Sequence, residues 1–154
     1  MRAVVQRVRR ARVLVDGEVL ASIATGLAVL VGVGRSDHAR DAELLAEKVA
    51  VLRVFDDGAG RMNRSLKDVG GRVLAVPQFT LYADPRHGRR PDFAAAANLE
   101  DGHRLYEAFV GFLRGRDVDV ESGRFGAHMR LELENDGPVT IVLTTDGWRE
   151  AELG

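Results

Sequence analysis

The spacing of hydrophobic residues predicts that the chain begins as β-structure. We expect strands over residues 2–8 and 11–23, and Asp16-Gly17 within the second segment is typical of a hairpin turn. A short unbroken apolar run over residues 27–33, flanked by glycines, predicts a strand that is covered on both faces.

Hydrophobic positions then change to helical spacing in two segments. The first, residues 37–55, repeats apolar residues on one side and has Ser36 or Asp37 as its predicted cap. The second begins near residue 98, with Asn98 as its cap, and stops at Gly115. Each pattern predicts an amphipathic helix with one apolar side packed against the rest of the protein.

The remaining predicted strands alternate with turn-rich segments. We predict a strand over residues 73–81, a loop over 83–92 and an alternating amphipathic strand over 129–134. Residues 135–138 are predicted to turn the chain into a final strand over 139–145.

These elements predict an α+β fold in a single domain. We expect a mostly antiparallel, curved sheet or barrel with two main helices packed on it. The length of 154 residues is enough to bury a core without disulfides or a structural metal. We assign residues 1–145 to this domain and residues 146–154 to an irregular carboxy-terminal tail.

Composition removes several classes of function. The chain has no cysteine, which excludes disulfides and thiolate catalysis. No apolar run approaches the roughly 20 residues that span a bilayer, and the arginine-rich amino terminus lacks the apolar stretch of a secretory signal. We therefore expect a cytoplasmic protein with no membrane partner.

The distribution of positive charge leaves two interpretations open. The net charge is −1, but among the 22 basic residues only Lys48 and Lys67 are lysines. Arginine patches can hold phosphate through paired donors even in a neutral protein, and heavy use of arginine can equally reflect the composition of the genome. The arginines cluster at two places: Arg2, Arg7, Arg9, Arg10 and Arg12, and then Arg86, Arg89 and Arg90.

Familiar hydrolytic and metal-binding motifs are absent from the sequence. It has no G-x-S-x-G, H-E-x-x-H or G-x-x-x-x-G-K-[ST] segment. The histidines show no paired spacing typical of metal ligands: His38, His87, His103 and His128. We expect no metal and no cofactor, so that an enzyme of this kind would work by positioning and polarising its substrate.

Two short segments carry unusual polar residues. In PQFTL, residues 77–81, Gln78 and Thr80 interrupt an apolar strand and point to one side of it, where both could face a pocket. The alternative is a strand with one solvated face. In NDGPVT, residues 135–140, a Gly-Pro bond can be cis at modest cost and can leave carbonyls free for a ligand. The alternative there is a plain turn.

Together these segments resemble the two signature motifs of the D-aminoacyl-tRNA deacylase family, S-Q-F-T-L and N-x-G-P-V-T. One motif alone carries little weight, whereas many in register are specific. Further matching segments lie in the family's order and spacing as far as about residue 145: QRV at 6–8, GE at 17–18, the apolar strand at 27–33, GRMN at 60–63, RPDF at 90–93, LY at 105–106 and GRFGAHM at 123–129.

The resemblance implies a metal-free, homodimeric esterase that hydrolyses D-aminoacyl-tRNA as chiral proofreading and also accepts glycyl-tRNA. In such enzymes the Gly-Pro bond is cis and reaches into the active site of the partner subunit. Here that bond is Gly137-Pro138, whose carbonyls would hold the substrate's α-amino group and leave no room for an L side chain. Arg7 is expected to orient this loop.

The resemblance also implies roles for residues beside the scissile ester. Gln78, the N–H of Phe79 as an oxyanion donor, and Thr80 match the catalytic strand. Thr80 is expected to position the substrate and not to attack it, since no base neighbours it in sequence. The terminal 2′-hydroxyl of the tRNA would activate water. Phe125 and Met129 match positions that line the pocket. We assign binding of tRNA to three loop residues: Arg86, Arg89 and Arg90.

The sequence departs from the family pattern at two positions. Pro77 stands where the family has Ser, which removes a hydroxyl and a backbone N–H beside Gln78, and Asp92 stands where Ser is common. Two other classes of protein fit parts of the sequence. A non-catalytic RNA-binding module would explain the arginines, but the aromatic residues are placed as core residues and not as a stacking platform. A structural scaffold would leave the matching motifs unexplained.

Overall fold

A six-stranded mixed sheet is the framework of the computed structural model, which describes residues 1–148. The strands, in chain order, are β1 (Arg2–Val15), β2 (Glu18–Ile23), β3 (Gly26–Gly32), β4 (Phe55–Asp56), β5 (Met62–Arg64), β6 (Arg72–Pro77), β7 (Val120–Ser122) and β8 (Arg130–Thr144). Of these, β4 and β5 form a separate hairpin. The helices are α1 (Ala39–Val51), α2 (Leu66–Val69) and α3 (Leu99–Arg114), and a 3-10 turn spans Phe79–Tyr82.

The strand order β2-β1-β3-β6-β7, with β8 paired to β1, combines antiparallel and parallel neighbours. β1 is antiparallel to β2, β3 and β8, whereas the β3–β6 and β6–β7 pairs are parallel. Parallel neighbours need crossover connections, and these contain α1 and α3. β2 also contacts β6 and β7, so the sheet curls into a nearly closed barrel. The predicted α+β fold with a curved sheet and two main helices is confirmed.

The sheet has a separate hydrophobic core on each face. The larger core fills the space between the sheet and the helices and includes Leu27, Val29 and Phe109. The smaller core lies on the concave face and includes Ala28 and Leu74. Because successive strand residues point to opposite faces, β3 needs an unbroken apolar run. The prediction that this strand is covered on both faces is confirmed.

β1 is one continuous strand, where the hydrophobic pattern predicted two. Ala3 and Val5 belong to the larger core, whereas Ala11 and Val13 belong to the smaller one. Odd-numbered residues therefore change face along β1. The register with β8 shifts twice over residues 6–10, and such bulges bend a strand without ending it.

The turn after β1 and the two ends of α3 were predicted correctly. Asp16 and Gly17 have φ angles of 51° and 81°, as a two-residue hairpin turn between β1 and β2 requires. Asn98 caps α3, since its Oδ1 accepts the N–H of Asp101 at 2.8 Å, and Gly115 follows the last residue of that helix. These signals are confirmed because they depend on neighbours in sequence.

The first predicted helix is wrong at both ends. α1 begins after His38, not after Ser36 or Asp37, and it ends before Phe55, which lies in β4. The carboxylate of Asp37 accepts the N–H of Gly34 at 2.6 Å and so does not cap α1. Phe55 is buried from a strand instead of a helix, and its apolar character alone could not distinguish the two.

The predicted strand over residues 73–81 is wrong at its carboxyl end. β6 stops at Pro77, and the chain then forms the 3-10 turn, in which the Leu81 N–H donates to the Gln78 carbonyl at 3.2 Å. Gln78 and Thr80 therefore do not point to one side of a strand. Proline has no N–H to continue a ladder, which makes it a common last residue of a strand.

The end of the described chain packs against the domain. Thr145 is buried and donates its hydroxyl to Asp41 at 2.9 Å. Trp148, in the predicted tail, packs against the larger core, and residues 149–154 lie outside the described residues. No helix within residues 1–148 has the length and apolar character needed to cross a membrane.

We predict opposite effects of alanine at two glycines. A Cβ added to Gly26 would lie 1.8 Å from the carbonyl oxygen of Arg72, a backbone atom held by the pairing of β3 with β6. A Cβ added to Gly111, inside α3, would meet nothing within 4 Å. Denaturant unfolding of Gly26→Ala is expected to show a loss of about 3 kcal/mol or more. Gly111→Ala is expected to gain roughly 0.5–1 kcal/mol. Equal stabilities would contradict the packing described.

Candidate active site

A cavity of about 600 Å³ opens between the 3-10 turn, the amino-terminal end of α3 and the segment that precedes β8. Its walls are mainly apolar side chains from β3, β6 and α3. The volume is ordinary for a site that holds a small molecule or the end of a larger one. Four of the predicted site residues line it: Gln78, Phe79, Phe125 and Met129.

The 3-10 turn places Gln78 and Phe79 at this cavity, and Phe79 has a free backbone donor. The Gln78 N–H donates to the Val31 carbonyl at 2.8 Å, which fixes the start of the turn on β3. The Gln78 side chain donates from Nε2 to the Thr80 hydroxyl. Phe79 is the first residue of the turn, so its N–H has no acceptor inside the turn. No other residue within 1–148 accepts it.

A glycine in α3 makes room for the aromatic wall of the cavity. A Cβ added to Gly102 would lie 3.3 Å from Cζ of Phe125. His103 stacks on the Phe125 ring with centroids 4.9 Å apart and planes 14° apart. The contribution of α3 to the site was missed by the sequence reasoning. A glycine inside a helix is unfavourable, and Gly102 was the signal that could have revealed a close approach there.

Titratable side chains are few among the residues that line the cavity. The Tyr106 hydroxyl donates to the Ala75 carbonyl at 2.9 Å and lies 2.7 Å from the Ser122 hydroxyl. Burial raises the pKa of Tyr106, which keeps the hydroxyl protonated at neutral pH. His128 also lines the cavity and is exposed. Across residues 1–148, no group of three or more His, Cys, Asp or Glu residues could hold a metal ion.

The predicted Gly137-Pro138 motif lies in a bulge of β8, which we call the 136–139 bulge. β8 pairs with β1 on both sides of it, so that these residues stand opposite the single residue Arg7. The predicted turn over 135–138 is therefore wrong, since the chain does not reverse and β8 continues through it. The Gly137-Pro138 bond is cis, as the resemblance implied.

A buried guanidinium holds the 136–139 bulge in place. Arg7 is 7% exposed, and its Nε donates to the Asp136 carbonyl at 3.0 Å. Its Nη1 donates to the Val54 carbonyl at 2.7 Å and to Asp56 Oδ1 at 3.3 Å. The rigid fork of arginine can serve acceptors in several directions at once. Arg7 thereby ties the bulge to the start of the β4–β5 hairpin.

Only glycine fits at the tip of the bulge. Gly137 has a φ of 130°, and an added Cβ would lie 2.9 Å from Cγ2 of Val139 and 3.2 Å from Nη2 of Arg7. The base of the bulge is closed by Asn135, whose Oδ1 accepts the Val139 N–H at 2.8 Å. Gly137 and Pro138 are both exposed. The motif is therefore rigidly held and presented outward.

One chain does not bring all the predicted site residues together. Arg7, Gly137 and Pro138 do not line the cavity described above, and neither does Thr80. The structure contains two separate constellations, one at the cavity and one at the 136–139 bulge.

The amino-terminal arginines are engaged within the chain. Arg10 and Arg12 pair across the strands with glutamates of β8 at 3.0 and 2.7 Å, and Arg9 reaches Asp136 at 3.5 Å. Exposed pairs of this kind stabilise a protein little, and each of the three uses only Nε of the arginine. The pairs form a row of alternating charges along β1 and β8 and leave both interpretations of the cluster open.

The loop after the 3-10 turn carries one engaged arginine and two exposed ones. Arg86 binds Asp84 through Nε at 2.8 Å and Nη2 at 2.7 Å, and these hydrogen bonds lower the pKa of Asp84 to about 2. Arg89 and Arg90 are exposed. Reciprocal backbone bonds between Asp84 and Asp92 close the base of the loop. The Asp92 carboxylate accepts the Ala94 N–H at 2.6 Å and so stabilises the conformation of this loop.

Pro77 replaces the usual Ser without breaking the sheet. The adjacent Gln78 N–H still donates to β3. Because successive N–H groups along a strand point to opposite neighbours, the missing donor of Pro77 would face the β7 side. There β7 has already ended at Ser122, which pairs with Ala75. The next residue, Gly123, donates its N–H to the Ala75 carbonyl, and its own carbonyl accepts the Ser122 hydroxyl at 2.8 Å. The ladder on the β7 side therefore ends at Pro77, while the β3 side stays intact.

The cavity, the bulge and the motifs they carry define a known class of protein. The sequence profile of the D-Tyr-tRNA(Tyr) deacylase family matches residues 4–144, and the chain belongs to this family. The D-aminoacyl-tRNA deacylase of Symbiobacterium thermophilum is 57% identical to it over 146 residues, which cover 95% of this chain and 97% of that protein. The D-aminoacyl-tRNA deacylase of Thermus aquaticus is 57% identical over 143 residues, covering 93% and 94%.

Two solved structures share the fold. One is described as a c-Myc DNA unwinding element binding protein and superposes with a TM-score of 0.87 at 39% identity, covering 94% of this chain and 98% of that one. The other, a probable eukaryotic D-amino acid tRNA deacylase, has a TM-score of 0.77 at 21% identity and covers 92% and 97%. At that identity the second similarity concerns the fold alone.

We predict that Arg7→Lys loosens the 136–139 bulge. A lysine ammonium cannot reach the carbonyls of Val54 and Asp136 together, so one buried acceptor loses its donor. The expected loss of unfolding free energy is about 1–3 kcal/mol. Arg9→Lys is the matched control, since the Arg9 side chain is 69% exposed and makes a single ion pair. That control should change stability by less than about 0.5 kcal/mol. Similar losses in both variants would contradict the bridging role of Arg7.

Proposed function

We propose that this protein hydrolyses the ester bond of D-aminoacyl-tRNA, and of glycyl-tRNA, to release free tRNA and the amino acid. One observation carries the proposal: a free Phe79 N–H and the Gln78 side chain stand together at one cavity, in a chain of the D-Tyr-tRNA(Tyr) deacylase family. The reaction is that of a carboxylic ester hydrolase acting without a cofactor or metal.

The proposed mechanism uses the Phe79 N–H to stabilise the developing negative charge. Water adds to the ester carbonyl carbon, and the carbonyl oxygen becomes an oxyanion. A fixed backbone donor aimed at such an oxygen is worth about 2.7–4 kcal/mol of barrier. The bond between this carbon and the 3′ oxygen of the ribose then breaks. The proton from water passes through the terminal 2′-hydroxyl to the leaving 3′ oxygen, while Gln78 orients the reacting group.

Thr80 is proposed to position this machinery and not to attack the ester. Its hydroxyl oxygen accepts the Gln78 amide, which fixes the side chain of Gln78 at the cavity. A hydroxyl nucleophile needs an adjacent base to take its proton. Within residues 1–148, no histidine, lysine or carboxylate hydrogen-bonds to Thr80.

A variant of His128 tests where the base resides. His128 lines the cavity, but the mechanism takes its proton acceptor from the tRNA. We predict that His128→Ala loses less than about 10-fold in kcat, compared with the 10²–10⁴-fold expected when a general base is removed. Single-turnover hydrolysis of D-tyrosyl-tRNA measures the difference. A loss of about 100-fold or more would assign the base to His128.

Selection between enantiomers is assigned to the 136–139 bulge. The carbonyls around Gly137 and Pro138 would accept hydrogen bonds from the substrate's ammonium group. The same backbone would fill the volume that an L side chain needs, so the wrong enantiomer is refused by a clash. Glycine has no side chain to exclude and would pass.

We predict that D-tyrosyl-tRNA is hydrolysed roughly 100-fold or more faster than L-tyrosyl-tRNA. Glycyl-tRNA is expected to be cleaved because it presents no side chain to the bulge. Release of radiolabelled amino acid under single-turnover conditions measures all three rates. Equal rates for the two enantiomers would contradict the proposed selection. Binding without turnover would favour the RNA-binding module.

The tRNA itself is proposed to lie along the loop after the 3-10 turn. Arg89 and Arg90 are exposed and could contact phosphates of the acceptor end. Arg86 was assigned the same role, but its guanidinium already binds Asp84. We propose that Arg86 shapes the loop through Nε and Nη2 and contacts phosphate through Nη1, which the pair with Asp84 does not use.

The separation of the two constellations leads us to propose a homodimer with shared active sites. The bulge of one subunit would complete the cavity of the other, because the bulge does not reach the cavity within one chain. A face near both constellations is suited to a second copy. It includes Val142, 75% exposed, and the groove beside it is lined by Arg2, Val4 and Leu81. Leu81 belongs to the 3-10 turn, and Val142 lies on β8.

Subunit mixing tests the shared site. In a Gln78→Ala homodimer every site lacks the amide, and in a Gly137→Ala homodimer every site lacks an intact bulge, so both should be nearly inactive. In the mixed dimer, one site contains both substitutions and the other site contains neither. We therefore expect the mixed dimer to recover about half of the wild-type activity. Subunit exchange shown by affinity tags, without recovered activity, would contradict the shared site.

A further inference from the structure

We propose that Tyr82 and Arg2 are positioning residues that set the location of the Phe79 N–H. They hold the carboxyl-terminal end of the 3-10 turn, as the bond from Gln78 to Val31 holds its start. The inference rests on the proposed function, in which that N–H is the oxyanion donor. Neither Tyr82 nor Arg2 lines the cavity, so both act through the turn.

Tyr82 anchors the end of the turn in the protein interior. The side chain is buried, and its hydroxyl donates to Asp37 Oδ2 at 3.2 Å. Burial, and then the charge of Asp37, raise the pKa of Tyr82. The hydroxyl therefore remains a donor throughout the neutral range. The other oxygen of the Asp37 carboxylate binds the amino group of Met1 at 2.8 Å, so the acceptor is itself fixed.

Arg2 lies over the face of the Tyr82 ring. Its guanidinium carbon lies 4.3 Å from the centroid of the Tyr82 ring. A cation held over a tyrosine face is attracted to it by roughly 0.5–2 kcal/mol. Nη1 of Arg2 also donates to the Leu81 carbonyl at 3.0 Å. One side chain thereby fixes two consecutive residues of the turn.

Two glycines of the β3 region allow the turn to lie this close. A Cβ added to Gly34 would lie 2.7 Å from Cε1 of Tyr82, and one added to Gly32 would lie 2.9 Å from Cβ of Leu81. The second would also come within 3.0 Å of the Gln78 carbonyl. The Tyr82 ring therefore packs between the guanidinium of Arg2 and the backbone of Gly34.

The short 3-10 turn links the Tyr82 ring directly to the Phe79 N–H. Phe79 and Tyr82 are the first and last residues of the four-residue 3-10 turn. Because no long loop separates the two residues, a displacement of the Tyr82 ring should also displace the Phe79 N–H. A misplacement of about 1 Å at a catalytic group can cost on the order of 100-fold in rate.

Gly34→Ala is the sharpest test, because it adds one methyl group against Tyr82 and outside the cavity. We expect kcat on D-tyrosyl-tRNA to fall roughly 10- to 100-fold with KM changed little, since an oxyanion donor acts in the transition state. Tyr82→Ala should have a similar effect. Gly34→Ala with Tyr82→Ala should be no worse than Tyr82→Ala alone, because the added methyl group no longer meets a ring. Additive losses would overturn the proposal.

Conservative and distant variants separate positioning from stability. Tyr82→Phe keeps the ring beside Arg2 and Gly34 but loses the bond to Asp37, so kcat should fall less than it does in Tyr82→Ala. Leu66→Ala removes a buried side chain of α2, and should lower the melting temperature while leaving kcat at 25 °C unchanged. If Leu66→Ala lowers kcat as much as Gly34→Ala does, the effect of Gly34→Ala is one of stability, and the proposal fails.

A measurement without substrate distinguishes failure of this inference from failure of the proposed function. In protein labelled with ¹⁵N-phenylalanine, the Phe79 amide signal can be assigned from its absence in Phe79→Leu. We expect that signal to shift in Gly34→Ala and Tyr82→Ala and to stay in place in Leu66→Ala. An unmoved signal in Gly34→Ala would overturn the inference. The signal could also shift in Gly34→Ala although the wild-type protein does not hydrolyse D-aminoacyl-tRNA. That pair of results would reject the proposed function, but Tyr82 and Arg2 would still be shown to position the Phe79 N–H.

Discussion

The pairing of β1 with three other strands is the constraint on which the rest of this structure depends. β2 and β3 follow it along one edge and β8 along the other. The odd-numbered residues of β1 face the larger core at Ala3 and Val5 and the smaller core at Ala11 and Val13, and the register shifts opposite β8 lie between these two segments. A bulge of this kind leaves backbone groups without ladder partners. The buried guanidinium of Arg7 supplies donors to one of them, the Asp136 carbonyl.

The same constraint separates the chemistry into two places. The 3-10 turn at the end of β6 presents Gln78 and the Phe79 N–H to a cavity, whereas the 136–139 bulge presents Gly137 outward from β8. Each constellation is rigid for its own reason: the first through its anchors on β3 and at Tyr82, the second through Arg7 and the Asn135 side chain. This separation is the basis of the proposed homodimer.

The residues chosen from sequence motifs lie only partly where the motifs predicted them. Gln78, Phe79, Phe125 and Met129 do line one cavity, although the strand geometry proposed for Gln78 and Thr80 was wrong. The two polar residues meet through the side chain of one and the hydroxyl of the other, because the 3-10 turn brings them together. The part of the site from α3 was not predicted, since a helix pattern does not show which of its residues approach a distant segment. The sequence could not show which arginines pair within the chain, because their carboxylate and carbonyl partners lie far away in sequence.

The sequence by itself determined the features that depend on near neighbours: the Asp16-Gly17 hairpin, the cap and stop of α3, the two-faced burial of β3 and the positions of the family motifs. Only the tertiary structure decided the ends of α1, the continuity of β1 and β8, the end of β6 at the 3-10 turn, and the bulge opposite Arg7. Apolar spacing reports that a side chain is buried, not which element buries it. Phe55 is buried from a hairpin and Ala11 from the far face of a bulged strand. Ala11 pairs with Leu133, and Arg7 contacts Val54 and Asp136, so these arrangements depend on partners more than forty residues away in sequence.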